Sequence, residues 1–280
     1  MIALYIAIPV AVLLGLWLFL IAPGSSRGME KFKSVRYAHR GLHGDFGEGY
    51  AAENSLTAFD RAASRGFGIE LDVHVTSDGE VVVFHDDTLT RVTGAEGRIK
   101  DKTLSELRCL RLSGTEDTIP TLPEVLRVVD KRVPLLIEIK EGGFDHTISE
   151  RTAEVLRDYD GEFIVESFSP LAFGAIRRTL KGIPCGFLCD KLTANEQYRS
   201  IKYRLIQRQL LNVIARPAFI AMNKSTHKLF PMPIVRALFR TPMLAWTVKS
   251  EAEEREAYKN GFSGIIFEGY IPTSGAEAEK

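Results

Sequence analysis

The sequence predicts an α/β protein in which a (β/α)8 barrel follows one N-terminal transmembrane helix. The chain has 280 residues and opens with a long apolar run. The roughly 250 residues after this run are enough for one large α/β domain. Eight short apolar segments, each typical of a strand, alternate there with helical segments, as in a barrel of this class. The eight strands are predicted at residues 34–38, 68–75, 133–140, 163–167, 183–188, 218–222, 243–248 and 264–267.

A ninth strand-like segment, residues 81–84, is expected to lie off the main sheet. A doubly wound parallel sheet fits the alternation of strands and helices almost as well. It does not explain why site-like polar residues accompany the first, second, third and seventh strands. A barrel does explain this, because it gathers the carboxyl ends of all its strands at one face. We therefore predict the barrel.

The N-terminal run is predicted to be a membrane anchor. Residues 2–22 are apolar, interrupted only by Pro9 and Gly15, and no charged residue precedes Arg27. As a helix, the run spans about 30 Å, the thickness of the hydrocarbon core of a bilayer. A cleaved signal peptide would need basic residues before the run and a cleavage site of small residues after it. We therefore predict a transmembrane anchor over residues 1–23, a linker over residues 24–33 and the barrel over residues 34–280.

The charges that flank the run predict its orientation. No Lys or Arg precedes the run, and four basic residues follow it closely: Arg27, Lys31, Lys33 and Arg36. Because positive flanking residues stay in the cytoplasm, a single-pass protein of the cell membrane with a cytoplasmic catalytic domain is expected. Three cysteines are too few for a disulfide framework and fit a reducing compartment. A formal net charge of zero gives no reason to expect a nucleic-acid partner, and the sequence indicates no oligomeric state.

Polar residues cluster at the ends of the first two predicted strands. His39 and Arg40 follow the first strand, and His85 follows the segment at residues 81–84. Glu70 and Asp72 are two residues apart on the second strand, so both side chains point to one face of the sheet. Two histidines, an arginine and a pair of carboxylates within about fifty residues are typical of a catalytic site.

These residue types point to phosphate-ester chemistry. Two buried carboxylates on one face repel each other unless something neutralises them, and a divalent cation does so commonly. Oxygen ligands favour a hard ion, Mg²⁺ or Ca²⁺, over zinc. A histidine exchanges protons near neutral pH, and the planar fork of an arginine suits phosphate.

The third strand ends in a similar way. Glu138 and Lys140 are two residues apart at the end of an otherwise apolar segment, V-P-L-L-I-E-I-K. Charged side chains are rare in a core, so their place at a strand end favours a role in the site. The alternative is an ion pair at the edge of the strand.

Together these residues form a four-part pattern of H-R, E-N, E-x-D and H-D. In this chain the parts are His39-Arg40, Glu53-Asn54, Glu70-Leu71-Asp72 and His85-Asp86. In order, spacing and intervening residues the pattern resembles that of the glycerophosphodiester phosphodiesterase family. A weaker resemblance extends along most of the chain after Met29.

Three later segments bear on this resemblance. Ser167-Phe168 is similar to the family's S-F at the fourth strand, and Trp246-Thr247-Val248 to its W-T-V near the seventh strand. At the last strand the family commonly has T-D-Y-P, whereas this chain has F-E-G-Y at residues 267–270. This departure bears on the specificity for the alcohol and not on the core chemistry.

The resemblance implies a TIM barrel that hydrolyses a glycerophosphodiester to glycerol 3-phosphate and an alcohol. It implies a divalent cation, Mg²⁺ or Ca²⁺ with Mn²⁺ also suitable, held by Glu70, Asp72 and Glu138. His39 and His85 would act as acid and base on opposite sides of the phosphorus atom. The resemblance also implies that Arg40 and Lys140 bind the phosphate and that Trp246 shields the glycerol from solvent. Glu53 would orient His39 or Arg40, and Asn54 would support the site from outside the layer that touches the substrate. Plain core packing is the alternative for Trp246.

Two other functions stay open at this point. A lysophospholipase D would act on a lipid that still carries one acyl chain; the predicted anchor and the basic segment at residues 199–211 favour it, because both suit a membrane surface. A catalytically silent, membrane-tethered barrel is disfavoured by the intact set of two histidines and three carboxylates.

Two structural roles are also expected: Asn54 as the cap of the helix at residues 55–65, and His74 as a structural residue that points away from Glu70 and Asp72.

Overall fold

A computed structural model of the protein describes residues 2–190 and 201–273, with the backbone alone at residues 2–4 and 202. The strands are β1 (Arg36–Ala38), β2 (Gly44–Asp45), β3 (Tyr50–Ala51), β4 (Gly68–Val75), β5 (Val81–Val83), β6 (Leu135–Ile139), β7 (Phe163–Ser167), β8 (Cys185–Cys189), β9 (Phe219–Asn223), β10 (Met243–Val248) and β11 (Gly264–Phe267). The α-helices are α1 (Ile2–Ile21), α2 (Leu56–Ser64), α3 (Thr90–Thr93), α4 (Leu104–Leu107), α5 (Leu122–Val129), α6 (Thr147–Leu156), α7 (Ala172–Thr179), α8 (Ile201–Gln207), α9 (Asn212–Ala215), α10 (Met232–Phe239) and α11 (Glu251–Lys259).

Eight parallel strands close into a barrel, which confirms the predicted fold. The order around the ring is β1-β11-β10-β9-β8-β7-β6-β4, and β1 also pairs with β4. This last pairing joins the two ends of the sheet, so a doubly wound open sheet is excluded. Strand β5 pairs antiparallel with β4 and lies outside the ring, as predicted. The small β2–β3 hairpin was not predicted.

Proline sets where two of the strands begin. The sequence predicts strands from residues 133 and 183, but the structure starts them at Leu135 and Cys185. Pro134 and Pro184 have no N–H to donate to a neighbouring strand. Their carbonyl groups still accept hydrogen bonds, from Ile69 and from Val165 respectively.

Alternate side chains of each strand face the helices or the interior of the barrel. Ile69, Leu71 and Val73 of β4 belong to the cluster packed between the strands and the outer helices. A second apolar cluster, which includes Tyr37, Leu136, Ile164, Phe219 and Leu244, fills the barrel itself. Glu70, Asp72 and His74 alternate with the β4 residues of the first cluster and lie on the other face of β4, which points into the barrel. The expectation that His74 points away from the two carboxylates is therefore wrong. Residues separated by two positions on a strand lie on the same face.

The N-terminal segment packs against the barrel. Among the described residues, no helix is long and apolar enough to cross a membrane, so the predicted transmembrane anchor over residues 1–23 is not supported. The end of α1 instead contacts protein: Ile21 is fully buried, and the Trp17 ring stacks on Phe230 with the centroids 5.4 Å apart. Residues 24–33 contain a short 3-10 helix, and Phe32 in it belongs to the cluster inside the barrel.

The basic segment at residues 199–211 is described only in part. Helix α8 covers Ile201–Gln207, and Arg199 lies outside the described residues.

Candidate active site

Three buried glutamates form a compact cluster at the carboxyl ends of β4, β6 and β7. Carboxylate oxygens of Glu70, Glu138 and Glu166 all lie within 4.8 Å of one another. The strand registers set Glu166 beside Glu138 and Glu138 beside Asp72, and Glu70 lies on the same face of β4 as Asp72. The sequence predicted Glu70 and Glu138 as cation ligands but missed Glu166. A glutamate within an apolar strand, one residue before the S-F motif, was the signal that could have revealed it.

The cluster is electrostatically costly without a cation. Burial, together with the neighbouring carboxylates, raises the pKa values of Glu70 and Glu166 well above the ordinary range. Burial also raises the pKa of Glu138, to about 6. Oε2 of Glu166 is buried and has no hydrogen-bond partner. An all-oxygen donor set with an unsatisfied buried oxygen fits a hard divalent cation.

Asp72, the third predicted cation ligand, lies among cationic groups. Its carboxylate is 2.8 Å from Nζ of Lys140, which is also 2.8 Å from a carboxylate oxygen of Glu138. Nδ2 of Asn54 donates a hydrogen bond of 2.9 Å to Asp72, and Nε of Arg40 lies 3.7 Å away. Burial alone would raise the pKa of Asp72, but Lys140 and the other nearby cations hold it far below the ordinary value.

Asn54 is held in the site and does not cap α2. The side chain of Ser55 caps that helix by accepting a hydrogen bond from the backbone N–H of Ala58. Asn54 has a left-handed backbone conformation with φ of 54° and is buried, with its side chain directed to Asp72. The cap predicted at Asn54 is therefore displaced by one residue.

His39 and Arg40 lie on a tight turn after β1. Nδ1 of His39 is 2.6 Å from a carboxylate oxygen of Glu268, and its Nε2 is 4.0 Å from Glu70. Arg40 has φ of 55°, and its backbone N–H donates a hydrogen bond of 2.8 Å to Glu70. Gly41 follows with φ of +80°. The turn therefore ties the predicted acid–base residue and the predicted phosphate-binding residue directly to the carboxylate cluster.

His85 lies at the end of a chain of ion pairs. Its Nδ1 is 2.6 Å from Asp86, which Arg91 contacts at 2.6 Å and 3.1 Å. Arg91 also donates two hydrogen bonds of 2.7 Å to Glu53, and Glu53 accepts one of 2.9 Å from Arg40. Of the two predicted partners of Glu53, Arg40 is the one that it contacts. Burial, together with Lys140 and Arg40, lowers the pKa of His85.

A cavity of 790 Å³ opens beside these residues. Its walls include His85, Glu138 and Lys140 from the site. Further charged residues extend the lining: Asp87, Arg98, Lys100, Glu141 and Asp145. Phe168 contributes an aromatic wall and meets Trp246 edge to face, with the ring centroids 6.2 Å apart. Trp246 is not among the residues that line this cavity and packs against the cluster inside the barrel.

Besides Glu166, two residues of this geometry received no role from the sequence alone. Arg91 links two predicted parts of the site, Asp86 and Glu53, but stands in a helical segment whose sequence carries no motif. Glu268 was noted as a departure from the T-D-Y-P pattern, and the structure places it against His39. Its position directly after the last strand was a usable signal, since a closed barrel sets that strand beside the first.

A barrel with two histidines, an arginine, a lysine and a buried carboxylate cluster at one end has the side chains that a phosphoric diester hydrolase needs. The chain matches the model of the glycerophosphoryl diester phosphodiesterase family over residues 39–269. It is 30% identical over 250 residues to a glycerophosphodiester phosphodiesterase of Caldanaerobacter subterraneus subsp. tengcongensis, covering 84% of this chain and 93% of that protein. The chain therefore belongs to the glycerophosphoryl diester phosphodiesterase family.

Two further relatives bear on the substrate. The fold is similar to that of an Oleispira antarctica phosphodiesterase in complex with its product sn-glycerol-3-phosphate, with a TM-score of 0.69 and 26% identity over 85% of this chain and 94% of that one. A human lysophospholipase D is 31% identical over 151 residues, which cover 49% of this chain and 46% of that protein.

Proposed function

We propose that the protein hydrolyses glycerophosphodiesters to glycerol 3-phosphate and an alcohol. The observation that carries the proposal is the convergence of His39, His85, Arg40 and Lys140 on the buried carboxylate cluster. The product bound to the Oleispira relative supports glycerol 3-phosphate as the product retained here.

The two histidines are assigned the proton transfers. Each has its Nδ1 on a carboxylate, Glu268 for His39 and Asp86 for His85, which leaves Nε2 for the substrate. Arg40 and Lys140 supply the positive charge that faces the phosphate, and both are already oriented by Asp72. General acid–base groups contribute typically ~10²–10⁴-fold each, so His39→Ala and His85→Ala should lower kcat by that order.

A divalent cation completes the assignment, with Mg²⁺ or Ca²⁺ as the proposed ion and Mn²⁺ as a substitute. Glu70 and Glu138 would hold it, with Asp72 and Glu166 within the same buried group. When bound, the cation polarises the phosphoryl oxygens. The donor set supports a hard ion because every donor is a carboxylate oxygen.

The charged side chains of the cavity support a deacylated substrate over a lysolipid. Arg98, Lys100, Glu141 and Asp145 lie in the lining together with apolar residues such as Phe168. The charged groups can bind a polar or zwitterionic alcohol, whereas an acyl chain offers them no partner. Lysophospholipase D activity remains the alternative because the human relative carries it.

A direct comparison of substrates tests both functions. The purified full-length chain should hydrolyse glycerophosphocholine much faster than lysophosphatidylcholine, and both reactions should stop in EDTA. His39→Ala provides the control for contaminating activity. A preference for lysophosphatidylcholine would favour the alternative, and inactivity on both substrates with a bound cation would favour a silent barrel.

We further propose that the barrel works on the cytoplasmic side of the cell membrane, with α1 in contact with lipid. The support is the exposure of large apolar side chains on α1, such as Tyr5 at 75%, Leu13 at 65% and Phe19 at 56%, and the basic residues that follow the run. External protease should leave the barrel uncut in intact bacteria until the cells are lysed. Digestion in intact cells would place the barrel on the other side, and recovery of the full chain in the soluble fraction would exclude the lipid contact.

A further inference from the structure

Closure of the barrel places Glu268 beside His39. Ala38, the last residue of β1, is paired with Phe267, the last residue of β11, so the residues that follow these strands are neighbours. The backbone N–H of His39 donates to the Phe267 carbonyl, and that of Glu268 donates to the Val248 carbonyl, each at 2.9 Å. Both side chains therefore start from backbone that the barrel holds in place.

The contact between the two side chains is short and specific. Oε2 of Glu268 lies 2.6 Å from Nδ1 of His39. A neutral imidazole has one N–H, and a carboxylate can only accept, so the proton of the ring resides on Nδ1. Nε2 then carries the free electron pair, and this nitrogen lies on the side of the carboxylate cluster, 4.0 Å from Glu70. The carboxylate thus determines which ring nitrogen faces the reacting group.

Glu268 has weaker ion pairs with other residues than Asp86, which contacts His85 in the way that Glu268 contacts His39. Asp86, which holds Nδ1 of His85, is also clamped by two contacts from Arg91. Glu268 has Lys249 at 4.0 Å, and the Lys249 side chain is 64% exposed, so this pair is screened by solvent. The hydrogen bond from His39 lowers the pKa of Glu268 to about 2, and the nearby His43 and Lys249 act in the same direction. Glu268 is therefore ionised throughout the neutral range and available to His39.

We propose that Glu268 is a positioning residue for His39: it fixes the tautomer with the proton on Nδ1 and aims Nε2 at the substrate. Glu268 stands at the position where the family pattern T-D-Y-P has its aspartate, so the departure at residues 267–270 keeps a carboxylate on a side chain longer by one methylene. The consequence for catalysis rests on the proposed function, whereas the tautomer of His39 does not.

Steady-state kinetics on glycerophosphocholine test the catalytic consequence. Loss of the carboxylate that fixes the tautomer of a general-base histidine can lower kcat by as much as about 10⁴-fold, so Glu268→Gln should lower kcat by at least about tenfold and leave KM nearly unchanged. Glu268→Asp, which keeps the carboxylate, should recover much of the loss. In a His39→Ala background, Glu268→Gln should change kcat by less than about twofold, because the two residues act as a unit. Glu251→Gln, the same substitution on the neighbouring helix α11, serves as the control and should behave as wild type.

The ring nitrogens of His39 provide a readout that does not depend on activity. At about pH 8.5, well above the ordinary histidine pKa, ¹⁵N spectra of the full chain should show His39 protonated on Nδ1, with the signal assigned by its loss in His39→Ala. Glu268→Gln should populate the tautomer protonated on Nε2. Identical His39 spectra in the wild type and Glu268→Gln would overturn the proposal, as would an equal loss of kcat in the wild-type and His39→Ala backgrounds. If the wild type were inactive, the proposed function would fail, and the spectra would still decide the role of Glu268.

Discussion

Cation binding at Glu70, Glu138 and Glu166 should release protons, so the affinity should rise steeply with pH. Carboxylate oxygens of the three residues lie within 4.8 Å of one another. At that separation and an effective dielectric constant of about 20, two ionised carboxylates repel by about 3.5 kcal/mol, which corresponds to a change of about 2.5 in pKa. Burial acts in the same direction as this repulsion, and the pKa of Glu138 lies at about 6 while those of Glu70 and Glu166 lie well above their ordinary values.

Cation binding at the cluster is coupled to proton release. A carboxylate ligates a cation only when it is deprotonated. The pKa values of all three glutamates are raised, so the cation should compete with protons for these oxygens. For each proton that binding releases, the affinity should rise by about tenfold per pH unit.

Isothermal titration of the full chain with Mn²⁺ measures both quantities. Titrations at two pH values, each in two buffers of different ionisation enthalpy, give the affinity and the protons released. Glu166→Gln should release fewer protons, and Glu251→Gln should match the wild type. An affinity independent of pH, or binding without proton release, would refute the reasoning about the cluster.

Three further outcomes are expected. Excess EDTA should abolish hydrolysis and Mg²⁺, Mn²⁺ or Ca²⁺ should restore it, whereas full activity in EDTA would contradict a cation-dependent site. Arg91→Ala removes the clamp on Asp86 and should lower kcat/KM by about 10–100-fold with cation affinity kept, as measured by kinetics and titration. Gly41→Ala should lower the free energy of unfolding in urea by about 1–3 kcal/mol, because φ is +80° and a Cβ would lie 2.9 Å from the backbone of Ala58. Gly47→Ala has φ of +88° and open space, so it should cost less, and an equal cost would show that the close contact does not matter.

The residues that share one strand were predictable from the sequence. Glu70 with Asp72, and Glu138 with Lys140, lie on one face because side chains alternate along a strand, and this rule is local. His39 and His85 were recognisable as residues at strand ends, and eight alternating strands indicated the barrel. The same local rule, applied correctly, would have placed His74 on the face of Glu70 and Asp72.

Contacts between distant segments were decided by the tertiary structure. The register of β6 with β7 brings Glu166 beside Glu138, and helix α3 carries Arg91 to Glu53. Asn54 was predicted to cap α2 because asparagine is a favourable residue at the start of a helix. In the structure its side chain donates a buried hydrogen bond to Asp72 instead.

In the apolar run, too, the local structure was predictable and the long-range contacts were not. Its composition predicted a helix, which α1 is. The end of α1 packs on the barrel through Trp17 and Ile21, and these contacts depend on residues far away in the sequence. Glu268 meets His39 because the sheet closes and sets β11 beside β1. Periodicity and turn chemistry act over a few residues, whereas closure and register depend on the packing of the whole barrel.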